Sequence, residues 1–236
     1  MFRKYPITLL LCYTIINIAI WLKVAVYSRG IIFFRHILFE AIQLNFRGFI
    51  IKIVPGSFDI VMDVHIRHTN LKDYPALINL YRLVANRSGG IIRIDREINF
   101  DYVNLFIENS MKKGLSLVAE VDSSIEAEIH AYTPEIYAFR HMLSDLTIVV
   151  HPEYQNQGIG KKLFTEFLLI IQNDFPHILR IELYVREENK PIVDFYKSLG
   201  FINEGRQQNK ILNARNELET PLHMAWFNPR YKSRTT

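Results

Sequence analysis

The sequence predicts an α/β fold in which short strands alternate with amphipathic helices. Residues 146–164 join an apolar, β-branched run to a glycine-containing turn and then to a helical pattern of apolar residues. Residues 115–132 contain two apolar runs around a polar turn, and residues 191–227 contain a helical pattern followed by two more strand-like runs. Because both periodicities occur repeatedly, the all-helical and all-β classes are excluded.

The predicted elements follow in order from Met62. The first helix, capped by Asn70, is expected to bury Leu71 and Ala76 with its other apolar residues and to end at Gly89-Gly90. The second, capped by Asn99 or Asp101, is expected to bury Met111. The polar segment 208–221 is predicted to be a mobile loop. The remaining predictions are strands at 64–68, 115–121, 125–132, 142–150, 181–185, 201–207 and 222–227 and helices at 160–172 and 191–199.

Composition excludes several classes of function. The formal net charge of the 236 residues is only +4, and the Lys and Arg residues are scattered rather than clustered, so no nucleic-acid partner is expected. Cys12 is the single cysteine, which excludes an intrachain disulfide and leaves the body of the protein without a cysteine nucleophile. The eight His residues show no zinc spacing, so no metal is predicted.

The first 61 residues are predicted to form an apolar extension before a domain at 62–231 and a tail at 232–236. Residues 7–22 are apolar apart from three polar residues, and 24–27 continue the run after Lys23. Three interpretations stay open: a membrane anchor through residues 7–27 with the domain facing the cytosol, accessory helices on a cytoplasmic protein, or a misassigned start with Met62 as the true one. A helix is expected at 31–44 and a strand at 48–54.

The loop at 155–160 is predicted to bind a phosphate group, because glycine-rich backbone at a helix N-terminus offers free N–H groups and a favourable dipole. The Walker pattern is excluded, since Gln155 and Lys162 stand where Gly and Ser or Thr are needed. The dinucleotide pattern is excluded as well, since Leu163 replaces its third glycine. A different phosphate-containing ligand is therefore expected.

Two sequence blocks resemble the GNAT superfamily of N-acetyltransferases. The first is Gln155-x-x-Gly158-x-Gly160 after Val150-His151-Pro152, which is similar to the loop of that family that binds the pyrophosphate of acyl-coenzyme A. The second runs from Asn189 through Tyr196 to Gly200-Phe201, with Ile192 where the family usually has Ala. The resemblance implies a mixed, mostly antiparallel central sheet with helices on both faces, in which the strand before the loop splays from its neighbour.

The resemblance also implies a site. Acetyl-CoA would be the co-substrate, Tyr196 would protonate the departing sulfur, and Asn189 would bind the coenzyme arm. Asp145 is a candidate general base, with Glu120, Glu128 and His141 as rivals. The remaining candidates would bind the coenzyme through the strand or the loop: Ile148, Val149, Val150, Gln155, Asn156, Gln157, Gly158, Ile159, Gly160 and Lys161.

The implied function is direct acetyl transfer from acetyl-CoA to a small-molecule or peptide amine. The alternative is a non-catalytic module that binds acyl-CoA and regulates another protein. A tethered enzyme that modifies surface peptides or amino sugars is a third hypothesis, which depends on the anchor. In this fold the closing strands often pair between subunits, so a homodimer is also expected.

Overall fold

The computed structural model describes residues 42–46, 49–54, 57–87 and 90–232, and the chain divides into two compact units after Met62. The first unit contains an antiparallel sheet in the order β1-β2-β3, formed by β1 (Ile42–Phe46), β2 (Phe49–Val54) and β3 (Ser57–Met62). The predicted strand at 48–54 is confirmed by β2. The predicted helix at 31–44 is wrong for its last residues, because Ile42 pairs with Ile53 in this sheet.

The apolar run at 7–27 lies outside the described residues. Within the part that is described, no helix combines the length and the hydropathy that a bilayer crossing requires.

The second unit is built on a seven-stranded sheet in the order β4-β5-β6-β7-β8-β12-β9. All neighbouring strands are antiparallel except β7 and β8. The mixed, mostly antiparallel sheet is thus confirmed. Its strands are β4 (His65–His68), β5 (Gly114–Val121), β6 (Ser124–Tyr132), β7 (Met142–Val150), β8 (Arg180–Arg186), β9 (Ile202–Arg206) and β12 (Pro221–Phe227).

Four α-helices complete this unit: α1 (Tyr74–Ala85), α2 (Phe100–Lys113), α3 (Ile159–Asp174) and α4 (Lys190–Ser198). Helices α1 and α2 share a buried apolar cluster with Val149 of β7. The next residue, Val150, lies beside Gly160 of α3. Because neighbouring residues of a strand point to opposite faces, α3 covers the other face of the sheet, and helices on both faces are confirmed.

The local turns follow from their residues. Asp122 and Ser123, with φ of 51° and 64°, connect β5 to β6 in the left-handed conformation that tight hairpins require. Asn99 caps α2, because its side chain accepts a hydrogen bond from the backbone N–H of Tyr102 at 3.0 Å. Asn70 caps a short 3₁₀ turn, Leu71–Asp73, that leads into α1.

Several details differ from the sequence prediction. Leu71, in the 3₁₀ turn before α1, is 55% exposed. Ala76 of α1 is exposed and Met111 of α2 is 61% exposed, because not every apolar residue of these helices lies on the buried face. Helix α1 ends at Ala85, before the glycine pair. The segment predicted as a mobile loop contains a two-stranded hairpin, β10 (Ile211–Leu212) and β11 (Leu218–Glu219).

Candidate active site

A gap opens between β7 and β8 in the middle of the sheet. The two strands pair only at Met142 with Arg180 and at Leu143 with Ile181. Beyond these pairs β8 continues along β12, and β7 continues along β6 as far as Val150. Within the described residues, the edge of β7 that carries Ile148, Val149 and Val150 therefore has no partner strand on the β8 side. The predicted splay is confirmed.

A β-bulge at Asp145 lies where the two strands separate. His130 pairs with Thr147 while Tyr132 pairs with Ser144, so one residue of β6 opposes Asp145 and Leu146 together. Asp145 has φ of 54°, and bulges of this kind bend and twist the strand that carries them. The bulge gives a local reason for β7 to leave β8.

The loop after β7 presents free backbone amides. Gly158 has φ of 86° and precedes α3, whose first internal hydrogen bond runs from the Lys162 amide to the Gly158 carbonyl at 3.0 Å. The amides of Ile159, Gly160 and Lys161 precede that bond, so they have no acceptor within the helix. The loop thus offers three N–H groups at the positive end of a helix dipole.

The two glycines of the loop act differently. An added Cβ at Gly158 would meet no atom within 4 Å, so its backbone conformation is what requires glycine. An added Cβ at Gly160 would lie 3.3 Å from Val150 Cγ2, so this glycine lets α3 approach the end of β7 closely.

Other loop side chains stabilise the loop itself. The Gln155 Nε2 atom donates to the Val150 carbonyl at 3.1 Å, and the Gln157 Nε2 atom donates to the Glu153 carbonyl at 2.6 Å. Asn156 has φ of 59°, a conformation that Asn tolerates better than most residues. The exposed Lys161 carries a positive charge at the start of α3.

The second sequence block forms α4 and the turn before it. The Asn189 carbonyl accepts hydrogen bonds from the Ile192 and Val193 amides, and no described residue hydrogen-bonds the Asn189 side chain. The Tyr196 ring packs within 6 Å of three aromatic rings, those of Phe164, Phe195 and Phe201. Burial raises the pKa of the Tyr196 hydroxyl well above its usual value, so the group holds its proton at neutral pH.

The candidate base Asp145 is exposed and follows Ser144, which pairs with Tyr132 of β6. Burial and then the charge of Asp145 raise the pKa of Tyr132 to about 12. The bulge interrupts the simple alternation from which Asp145 was expected to share a face with Thr147 and Val149, so that expectation stays a prediction. Asp145 as the base stays a prediction.

The rival bases occupy different surroundings. Glu120 pairs with Arg67 at 2.6 Å near the β4 edge of the sheet, and that hydrogen bond lowers the pKa of its carboxyl. Glu128 is fully buried and accepts hydrogen bonds from Tyr81 at 2.5 Å and Ser116 at 2.7 Å. The backbone of His141 accepts from the Leu179 amide, at the start of β7. Glu120 and Glu128 therefore have structural partners.

A buried hydrogen-bond network surrounds Glu128, and the sequence analysis did not predict it. The His130 Nδ1 atom lies 3.2 Å from both carboxyl oxygens of Glu128 and from the Tyr81 hydroxyl. The His130 ring stacks on Phe106 at 4.1 Å. Burial and the Glu128 charge raise the pKa of Tyr81 well above its usual value. Polar residues at alternate positions of β6 were the sequence signal for this network.

Arg186, which the sequence interpretation did not identify, links three segments beside the gap. Its guanidinium donates to the Gly90 carbonyl at 2.6 Å and to the Ile91 carbonyl at 3.5 Å, both in the segment between α1 and α2. It also donates to Glu219 of β11 at 2.5 Å. The end of β8 is thereby tied to two loops, and no short-range sequence pattern indicates such a contact.

A charged cluster lies on the part of the sheet formed by β8, β12 and β9. Arg180 pairs with Glu182 at 3.3 Å and with Glu204 at 2.5 Å. The His223 Nε2 atom lies 3.2 Å from Glu182, whose other oxygen accepts from the Ser144 hydroxyl at 3.1 Å. This cluster connects the start of β7 to the closing strands.

A cavity of about 500 Å³ lies elsewhere, beside α1 and the β5–β6 turn. The predicted coenzyme residues and Tyr196 are not among its lining residues. Burial raises the pKa of the Glu126 carboxyl within it. Its charged lining consists of Arg67, Lys72, Asp73, Glu120, Glu126 and His151. Within the described part of the chain, no three His, Cys, Asp or Glu side chains are grouped as metal ligands.

Comparisons with known proteins agree with this geometry. Residues 112–203 match the family model of the acetyltransferase (GNAT) domain. The curated "Uncharacterized N-acetyltransferase ycf52" of Gracilaria tenuistipitata var. liui is 30% identical over 113 residues, which make up 48% of this chain and 52% of that protein. The match thus spans about half the length of this relative.

Solved structures share the fold. A GNAT-family acetyltransferase from Streptococcus pneumoniae has a TM-score of 0.58 at 22% identity, covering 70% of this chain and 99% of that one. The yncA structure from Salmonella typhimurium, with its cofactor acetyl-CoA, has a TM-score of 0.65 at 17% identity, covering 73% and 98%. Residues 112–203 are therefore similar to the GNAT acetyltransferase domain, and the second unit has the acyl-CoA N-acyltransferase fold.

Proposed function

We propose that this chain is an acetyl-CoA-dependent N-acetyltransferase that transfers the acetyl group directly to an amine. The observation that carries the proposal is the separation of β7 from β8 beside the free amides of the loop. An open strand edge can pair with an extended, amide-containing arm, and the loop amides can bind a diphosphate. The open strand edge suits the pantetheine arm of coenzyme A, and the loop amides suit its diphosphate.

The coenzyme would lie along the loop before α3, the open edge of β7 and the start of α4. The amides of Ile159, Gly160 and Lys161 would bind the diphosphate, with Gln155, Asn156, Gln157 and Gly158 shaping the loop. The edge formed by Ile148, Val149 and Val150 would pair with the pantetheine arm. The Asn189 side chain has no partner among the described residues, so it is free to bind that arm. The acetyl-CoA bound to yncA supports this coenzyme.

The reaction needs a neutral amine and a proton for the leaving sulfur. The amine nitrogen attacks the thioester carbonyl carbon, the new C–N bond forms, and the C–S bond then breaks. The thiolate takes the proton of the Tyr196 hydroxyl. The attacking nitrogen loses one proton to Asp145 or to water, and this proton restores the Tyr196 hydroxyl through the solvent. The products are the N-acetyl amine and CoA with a free thiol.

Coenzyme binding and turnover should be tested separately. We expect acetyl-CoA and CoA to raise the melting temperature of the full chain, and we expect thiol release from acetyl-CoA with at least one amine of a broad panel. Binding without turnover on any amine would instead support the non-catalytic module. If no CoA species changes the melting temperature or gives binding heat, the proposed function is wrong.

The homodimer, the cytoplasmic location and the alternative of attachment through residues 7–27 stay predictions. Sedimentation of the purified chain tests the first, and fractionation of the natural protein into soluble and membrane pools tests the others.

A further inference from the structure

Two cations near the gap lack acidic partners. The Arg93 guanidinium lies 4.1 Å from the ring centroid of Tyr102, and the Lys210 ammonium lies 3.7 Å from that of Tyr184. Within the described residues, no carboxylate lies within ion-pair distance of either group. Most other charged side chains nearby, such as Arg180 and Arg186, do have such a partner.

The two cations lie beside segments that meet at the gap. Tyr184 belongs to β8, and it shares a strand face with Arg186 two residues later. Arg186 in turn holds Gly90 and Ile91, which precede Arg93 in the same segment. The contacts of Arg186 therefore bring the Arg93 segment to the end of β8, where the Tyr184 ring contacts Lys210.

A carboxylate lies on the other side of the gap. Asp145 is exposed at the bulge of β7, next to Ser144, which pairs with Tyr132. Asp145 and Arg93 act on the Tyr132 hydroxyl in opposite directions, since the first raises its pKa and the second lowers it. Ring contacts run from Tyr102, on which Arg93 rests, through Phe106 and His130 to Tyr132. Tyr132 pairs with Ser144, the neighbour of Asp145, so the cation and the carboxylate lie along one aromatic cluster.

An exposed cation that rests on an aromatic ring keeps its charge and most of its donor groups. A carboxylate that binds a guanidinium forms charge-assisted hydrogen bonds, which are stronger than a contact with a ring. Arg93 can therefore leave or keep Tyr102 while it binds an anionic group. Asp145, by contrast, is suited to a cationic ammonium group.

Resting on the N-acetyltransferase function above, we propose that the acceptor is a small, amino-acid-like amine whose carboxylate is bound by Arg93 and attracted by Lys210, and whose ammonium is bound by Asp145. Asp145 accepts one ammonium proton and releases it to water, which leaves the nitrogen neutral for attack on the thioester and Asp145 ionised again. The remaining steps are those of the transfer described above.

The test compares each amino acid with its own amide, which keeps the amine and removes the carboxylate charge. Thiol release from acetyl-CoA is measured with the full chain and with three variants, Arg93→Gln, Lys210→Gln and Arg96→Gln. Arg96 is an exposed arginine of the same segment, so its variant controls for the loss of one surface charge. All variants are first checked for an unchanged melting shift with CoA.

We expect at least one amino acid to be acetylated with a KM about 10- to 100-fold below that of its amide. Arg93→Gln should raise the KM for the amino acid about 10-fold, with little change in kcat and none for the amide. Lys210→Gln should act in the same direction but less, and Arg96→Gln should change neither.

Three results would overturn the inference and leave the proposed acetyltransferase function standing. They are equal KM values for the amino acid and its amide, a preference for a carboxylate-free or peptide amine, and an equal effect of Arg93→Gln on the amino acid and on its amide. Binding of CoA without turnover of any amino acid overturns it as well. The absence of CoA binding would overturn the proposed function itself.

Discussion

The coenzyme side and the acceptor side of the gap are built in different ways. On the proposed coenzyme side, the candidate binding groups lie in two short segments, 148–161 and 189–196, and many are backbone atoms. On the acceptor side, Arg93, Tyr132, Asp145 and Lys210 come from four separate segments and would act through side chains. The coenzyme side can therefore be predicted from local sequence, whereas the acceptor side depends on how segments distant in the chain pack together.

The difference implies that the two sides should be separable by mutation. Changes at the loop or at α4 should affect coenzyme binding or chemistry for every acceptor. Changes on the acceptor side should alter the KM for the amine and leave CoA affinity unchanged. An acceptor-side variant that weakened CoA binding would contradict this separation of the two sides.

The largest effect is expected for Tyr196→Phe, which removes the proposed acid and keeps the ring packing. The kcat should fall about 100-fold with every acceptor, since general acids typically contribute that much or more. Binding heat for CoA should be unchanged. Because burial raises the Tyr196 pKa, the wild-type rate should show no loss from ionisation of this group between about pH 7 and 9. An unchanged kcat would remove the acid role.

Glu128→Gln tests whether the buried network is structural. Glutamine cannot accept both hydrogen bonds from Tyr81 and Ser116, so the free energy of unfolding should fall by about 1–3 kcal/mol in urea titrations. The matched control is Glu217→Gln, whose pairing with Arg215 is exposed and should contribute about 0–1 kcal/mol. Normal stability with a large loss of kcat would instead make Glu128 a candidate base.

Gly158→Ala tests the loop conformation. Alanine at φ of 86° is strained, so we expect a loss of about 1 kcal/mol in unfolding free energy and about 10-fold weaker CoA binding by calorimetry. Gly205→Ala is the control, because an added Cβ there also meets no atom within 4 Å and no positive φ is involved. Equal effects of the two changes would contradict a special role for the loop.

The smallest effect is expected for Arg186→Gln, which frees the segments at Gly90 and Glu219. The KM for the acceptor should rise about threefold to tenfold with unchanged CoA affinity, because positioning is lost rather than a reacting group. Limited proteolysis between α1 and α2 should become faster. Arg206→Gln, which removes an exposed pairing with Glu187, should change neither measurement. A weaker CoA affinity in Arg186→Gln would contradict the expectation that the coenzyme side and the acceptor side are separable by mutation.

Most strands and helices of the second unit were predictable, because their apolar periodicity and caps are local. Strand β7 and the hairpin of β5 and β6 occur where the sequence indicates them. The bulge at Asp145 was not predictable, since a non-glycine residue with positive φ leaves no pattern. The exposure of Met111 was missed because apolar content alone does not set the width of a buried face.

The sequence by itself determined the family resemblance, the loop proposed to bind phosphate and the candidate acid Tyr196, because these depend on residues close together in the chain. The resemblance implied that this strand splays, but the tertiary structure decided where β7 leaves β8 and that Glu128 is enclosed. It also decided that, among the described residues, no carboxylate lies within ion-pair distance of Arg93 or Lys210. Such features arise from contacts between distant segments; Arg186 and Gly90, for example, are 96 residues apart. No local pattern encodes such contacts, since they follow from the packing of the whole sheet with its helices.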